Sequence, residues 1–565
     1  MNKPKALNLA PIAYLTYAEV NGGRPSTREE FRRHLAQFGR ESLLLFCAYA
    51  NTVLFGANVS WNWDDHDALA KRFLDARLLE MRSTVQDLRP PILHREMLLF
   101  LIKEAAAVCP SDGLDCWSGP SWNLAKAVLM ANEQLGFPAA KKIPHENNLA
   151  LLANIVTASE GSRFSSWRHK MVRTALMLTY VLEKRPELLK QFDVFELFRN
   201  VTGIQLRTFL SMIFAVATKH LTEKQREGQL PDLYQIDDQW FRNTIVSAPV
   251  IAAFLADVSA TPDQLTAGIK ASNTHVSDFR GISSTPIINF SNQYVPIGFD
   301  FLMDKAYSGV FWKVLGALRD RKEQDRFISF WGSVFEEYVN WVLEGSIDPS
   351  VNQFIRDPRY CDEPGAQVCD GIIISGNVAC FLEYKGSMFK AEAKYTGDPH
   401  ELKKEIDLKL IGKEDNRKGL LQLSKAIAEV GGAKKRQIEG VDSSLITKIY
   451  PVLIVRDEIA LAFCFNEYLD FRFRQICSRQ RGKTITPLFV LGIDDLERIA
   501  NYLDKIPLHK ILRARWKADP QLAAPFFTVK NSLMPEAPHR APKVIIQGLD
   551  LVSQMTKEIM FGVRE

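Results

Sequence analysis

The sequence predicts a multidomain chain in which an all-α N-terminal region precedes an α/β domain built on a central mixed sheet. Three observations carry that expectation. The 565 residues exceed one ordinary domain, and 46% of them are hydrophobic, enough to fill more than one core. From the start to about residue 280, apolar residues recur at three- and four-residue steps behind N-cap signals. From 326 onward the order becomes helix, strand, strand, strand, helix, strand, helix, strand, helix, which packs as a mixed sheet flanked by helices.

The helical region, residues 1–280, opens with "PSTREEFRRHLAQFGRESLLLFCAYANTVLFG", where Ser26 and Glu29 have capping-box spacing. In "TPDQLTAGIK", Thr261 is the expected N-cap, with Pro262 at the first helical position and Gln264 three residues after the cap. Similar runs at 66–85, 121–136, 164–183, 203–219 and 238–256 show no fixed repeat period, so a solenoid is not expected. Residues 281–325 read as a small β element around a Ser291-Asn292 turn, followed by a helix at 303–319. The charged run "RDRKEQDR" then marks a boundary.

The sheet domain, 326–505, begins with a helix at 326–344. Strands are expected at 353–360, 367–375, 378–385, 447–456 and 486–491, with helices at 417–430, 466–477 and 494–504. Residues 506–565 read as a basic, proline-punctuated tail with one helix at 547–560.

The net charge of +5 is unevenly spread. Residues 471–517 hold eleven Lys and Arg against four acids, so this stretch is net positive and the other residues are slightly negative. Eight scattered cysteines form no CxxC pair, and the histidines form no zinc set, which points to reduced core thiols in a cytoplasmic protein. The first residues lack a signal-peptide core, and no apolar run is long enough to span a bilayer. Phosphate-loop, dinucleotide and nucleophile-elbow motifs are absent, so any unwinding of DNA would need a separate ATPase or helicase partner.

One hairpin breaks the core pattern. In "CDGIIISGNVACFLEYKG", Gly376-Asn377 is a favoured two-residue turn, and it pairs Ser375 with Val378. Counting outward sets Asp370 opposite Glu383, with Lys385 on the same face. Two like charges held about 5 Å apart destabilise a sheet unless a cation sits with them. A divalent metal resolves that conflict, since Mg²⁺ takes one or two carboxylates together with waters and phosphate oxygens.

Asp370 followed by Glu383-Tyr384-Lys385 resembles the D…(D/E)xK signature of the PD-(D/E)XK nuclease superfamily, whose members share the restriction-endonuclease-like fold. The preceding "FWGSVFEEYVNWVL" is similar to the GxxFE helix of its resolvase-like and Mrr-like branches. By that match the additional acid is Glu336, although the helical wheel puts Glu337 nearer the apolar face. The resemblance covers about residues 326–500. It implies that Asp370, Glu383, the Tyr384 carbonyl and Glu336 hold Mg²⁺ or Mn²⁺, that Lys385 assists the attacking water, and that Gln422 supports the site. The implied reaction is phosphodiester hydrolysis leaving a 5′-phosphate, with DNA the expected substrate. Cys369 stands where the signature often has proline.

A large helical region fused to such a nuclease resembles bacterial anti-phage effectors, and there the helical part selects substrate, forms a homo-oligomer or restrains the nuclease. The alternative reading is a nucleic-acid-binding or assembly subunit on a catalytically weak nuclease fold. In "FRFRQICSRQRGK", Arg472, Arg474, Arg479, Arg481 and Lys483 are candidate phosphate contacts, with base stacking on the interleaved phenylalanines. An amphipathic helix with solvated arginines explains the same run equally well. "WNWDDHD" reads as an acid-rich helix N-terminus rather than a metal site.

Overall fold

A computed structural model describes residues 14–55, 63–84, 90–135, 148–159, 167–222, 233–272, 275–412, 419–431, 436–477, 483–526 and 543–563. Among the described residues two larger sheets and a two-stranded one accompany three apolar cores. Of the first two, the smaller has the strand order Ile236–Asp237, Gln293–Pro296, Ile287–Phe290, Ser259–Ala260. Its hairpin turns at Ser291 and Asn292, both with positive φ (52° and 69°), as a tight two-residue loop demands. Strand alternation then feeds two cores. Ile288 and Val295 join helices of residues 28–134, while Ile287 and Tyr294 join those of residues 167–258.

The larger sheet follows a long helix, α1 (Arg321–Glu344), whose N-cap Asp320 accepts from the Lys322 N–H. The charged run expected to mark a boundary is this helix's first turns. Its strands include β1 (Gln353–Arg356), β2 (Gly371–Ser375), β3 (Val378–Lys385), β4 (Lys448–Val455) and β5 (Phe489–Gly492). β1, β2 and β3 are antiparallel neighbours, and β4 lies parallel to both β3 and β5. A two-residue strand, Thr484–Ile485, also runs parallel to β4. Helix α2 (Leu420–Gly431) separates β3 from β4 in sequence, α3 (Phe465–Ile476) separates β4 from β5, and α4 (Ile493–Ala500) follows β5. The expected strand at 353–360 stops at Arg356, where Asp357 turns with φ 46°, and a short Arg359–Tyr360/Glu363–Gln367 hairpin intervenes before β2.

The sheet is buried on both faces, as its near-continuous apolar strands require. Cys380, Leu382, Tyr384, Val452 and Ile454 face α1, and share a core with helices of residues 171–217. Ala379, Phe381, Ile449 and Leu453 face α2 and α3. The cores therefore do not follow boundaries at 280, 325 and 505. The C-terminal stretch read as a tail supplies two helices, Leu508–Ala518 and Lys543–Phe561, whose Leu512, Ile545 and Val552 belong to the same core as α1.

At the N-terminus the capping box forms one residue later than expected. Thr27 caps and Glu30 reciprocates, while Ser26 bonds Glu133. The Thr261–Gln264 box forms as read. His66 of "WNWDDHD" is buried and accepts the Ile92 and Leu93 N–H groups. Among the described residues no single helix is long and apolar enough to cross a membrane. The bent pair Val194–Thr202 and Leu206–Lys219 passes by length and composition together, and lends Phe198, Leu210 and Phe214 to a core.

Candidate active site

The β2–β3 hairpin has the register that its Gly-Asn turn dictates, with Ser375 opposite Val378 and Gly371 opposite Leu382. The recorded pairing ends there: the next residue, Asp370, donates its N–H to Leu382 O at 3.1 Å, the carbonyl of the residue already opposite Gly371, so the regular ladder expected to set Asp370 squarely against Glu383 is broken at this point. There the ladder gives way to side chains. Asp370 Oδ2 accepts the Tyr384 N–H at 2.6 Å, and Oδ1 accepts from Gln367 Nε2 at 3.2 Å. The Tyr384 ring lies on the opposite face of the sheet, where its hydroxyl donates to Asn340 of α1 at 3.3 Å.

Glu383 is 1% exposed. Its Oε1 accepts from Lys385 Nζ at 2.6 Å and from the Gly419 N–H at 3.2 Å. Its Oε2 is buried and has no hydrogen-bond partner. A buried carboxylate oxygen left bare is costly, and burial pushes the Glu383 carboxyl up to about 8; Lys385 opposes that rise and Asp370 adds to it. Asp370 is also raised, first by burial, with Lys385 and the Tyr384 N–H pulling it back. Burial works against the Lys385 charge, but Glu383, Asp370 and Glu336 outweigh it and raise its pKa, so the group is an ammonium.

The structure separates the two glutamates of α1. Glu337 is held by Arg185 at 2.7 Å and by Arg356. Glu336 has neither guanidinium and stays solvent-accessible at the mouth of the cluster. The protein mass around it raises its carboxyl to about 7; Asp370 adds to the rise and Lys385 counters it, with water screening all three effects. Of the pair, Glu336 is the one in the field of Asp370 and Lys385.

Gln422 sits half-buried in the first turn of α2, close in sequence to the Gly419 that bonds Glu383, but makes no hydrogen bond to Asp370, Glu383 or Lys385. The basic run has partners inside the chain. Arg472 bonds the Tyr468 hydroxyl and pairs with Asp407, each at 3.0 Å. Lys483 Nζ donates to Ser443 O and Ile446 O. Arg474 pairs with Asp470 along α3, yet its side chain remains 63% exposed. Arg479 and Arg481 lie outside the described residues.

A second buried acidic cluster lies behind α1. Arg173 grips Glu497 through Nε (2.7 Å) and Nη2 (2.9 Å) and also pairs with Asp494. His169 Nδ1 lies 2.8 Å from Glu497, and the Tyr338 hydroxyl donates to it at 2.7 Å. His169, Asp494 and Glu497 lie close enough together to hold a metal. Arg173 already supplies the cation, however. Burial alone would raise Glu497, but Arg173 and His169 outweigh it and hold its pKa below the usual carboxylate range.

Asn340, Gln367, Arg356, Arg185 and Gly419 complete the first cluster's surroundings, and none carries a local sequence signal. Gln367 comes from just before Asp370, and the other four reach the site from farther along the chain. No protein-family model, curated protein or solved structure matches the chain.

Proposed function

We propose that this chain is a metal-dependent nuclease that hydrolyses phosphodiester bonds of nucleic acid, with DNA the expected substrate. The observation that carries the reading is Glu383 Oε2, a carboxylate oxygen buried without a hydrogen-bond partner in the field of Asp370 and Lys385. Two carboxylates and a main-chain carbonyl form an all-oxygen donor set, which suits Mg²⁺ or Mn²⁺. The order α1, β1, β2, β3, α2, β4, with β4 parallel to β3, supports the restriction-endonuclease-like reading.

Asp370, Glu383 and the Tyr384 carbonyl would hold the ion, with Glu336 at the mouth as an additional acid. A bound Mg²⁺ or Mn²⁺ would supply Lewis-acid polarisation of the phosphodiester and of the attacking water. Lys385 contributes a fixed positive charge. As an ammonium it donates hydrogen bonds to the oxygens that gain negative charge, and it does not act as a base. Glu336, exposed to solvent and within the field of Asp370 and Lys385, would add a further acid at the edge of the site. Water attacks phosphorus in line as the 3′ oxygen departs with a proton, leaving a 5′-phosphate.

The test is incubation with plasmid, linear and single-stranded DNA and with RNA, in Mg²⁺ or Mn²⁺, beside Asp370→Ala and Lys385→Ala. Cleavage by the parent chain that Asp370→Ala abolishes and Lys385→Ala lowers by about a hundredfold or more is expected. Cleavage that survives both would sink the assignment, and binding without cleavage would favour a nucleic-acid-binding or assembly subunit.

A further inference from the structure

The geometry points to Gly419 as a positioning residue that sets both Glu383 and Lys385 of the candidate site, an inference that rests on the nuclease reading for its catalytic meaning. Gly419 stands at the N-cap position of α2, where its carbonyl accepts from the Leu423 N–H at 3.0 Å. Its own N–H is one of the helix's unpaired N-terminal donors, and it is spent on Glu383 Oε1 at 3.2 Å. Lys385 Nζ bonds the same oxygen. Oε1 is thus fixed from two sides, and Oε2 is the atom left bare.

Only glycine fits this position. The backbone has φ +65°, and a Cβ there would lie 2.0 Å from Leu410 O and 3.3 Å from Lys385 Cε. The absent side chain leaves room for Lys385 to run past α2 to Glu383. Leu410 belongs to a π-helical turn, Asp407–Ile411, of the kind that recurs at functional sites. Its neighbour Lys409 is tied to Met388 O and Glu405, so the obstructing carbonyl sits in a braced segment. Any side chain at 419 must therefore push α2 away from Glu383 or push Lys385 out of its path.

The experiment compares Gly419→Ala with Gly440→Ala in the full-length protein. Gly440 shares the positive φ (+72°) but has open space around its Cβ position, so it reports the backbone cost alone. Mn²⁺ affinity, read by electron paramagnetic resonance of free Mn²⁺, is expected to weaken at least tenfold in Gly419→Ala and to stay unchanged in Gly440→Ala. Equal affinities in both variants would overturn the inference. Hydrogen exchange of the metal-free parent chain provides a readout independent of metal and of the folding of Gly419→Ala. The Gly419 amide should exchange at least tenfold faster in Glu383→Ala, and an unchanged rate would overturn the contact. A parent chain that binds no Mn²⁺ would instead defeat the metal-site reading, with the exchange experiment still deciding whether Gly419 holds Glu383.

Discussion

Two buried acidic clusters lie within one chain, and they are finished differently. Around Glu497 the carboxylate itself is fully engaged: Arg173 bonds both of its oxygens, and Tyr338 and His169 add to them, although Arg173 Nη1 is left without a partner. Around Glu383 the same ingredients stop short. One oxygen takes Lys385 and Gly419, and the other takes nothing. The pKa directions follow, with Glu497 held low and Glu383 pushed up to about 8. A satisfied cluster specifies how helices dock, whereas an unsatisfied one keeps an acid available for a ligand.

Substitutions can break that comparison from either end. The largest effect falls on turnover. Lys385→Ala is expected to lower phosphodiester cleavage by about 10²–10³-fold, the usual cost of removing one preorganised charge from a transition state. Steady-state cleavage kinetics in Mn²⁺ check this, and the folded state should persist.

At the closed cluster the same kind of change acts on folding. Arg173→Met leaves Glu497 and Asp494 buried without their cation and should cost about 3–5 kcal/mol in urea unfolding. Glu383→Gln keeps an oxygen for Lys385 and Gly419 and replaces an acid whose neutral form the fold already favours at pH 7. It should change stability by about 1 kcal/mol or less while abolishing metal binding. A Glu383→Gln cost as large as that of Arg173→Met would erase the distinction between the clusters.

The clusters should also respond to pH with opposite signs. Glu383 binds its proton more tightly when folded, so its effect on stability is most favourable below the ordinary value of 4.5 and is lost as pH climbs through about 8. Glu497 has a depressed pKa, so its contribution is intact at neutral pH and lost only as acid protonates it. Urea unfolding of the parent chain and of Glu383→Gln from pH 6 to 9 should therefore diverge, with the parent losing ground at the alkaline end. Metal binding needs the ionised carboxylates, so Mn²⁺ affinity should rise over the same interval. The smallest effect is expected at Gln422, which bonds none of the acids. Gln422→Ala should alter cleavage by about threefold at most, since no hydrogen bond of the cluster is lost.

The candidate site was partly legible because its key contact is local. Gly376-Asn377 fixes the hairpin, the hairpin fixes the register as far as Gly371 opposite Leu382, and Asp370 and Glu383 are the next residues on the two strands. Helix periodicity likewise revealed α1 and most of the N-terminal helices. Contacts made by tertiary packing were hidden from the sequence. The choice between Glu336 and Glu337 turned on Arg185, which reaches α1 from a helix pair far upstream. Gly419 read as the residue before a helix, because only Leu410 O and Lys385 Cε reveal why it must be glycine. The C-terminal helices read as a tail because their charged faces dominate the composition, while Leu512, Ile545 and Val552 complete a core formed by segments hundreds of residues earlier.

The most direct measurement is an anomalous difference map from crystals soaked in Mn²⁺, which places the ion without reference to activity. The account predicts a peak among Asp370, Glu383 and the Tyr384 carbonyl, and none at His169, Asp494 and Glu497. A peak at the second cluster, or a protein that takes up Mn²⁺ and leaves Glu383 without it, would contradict it.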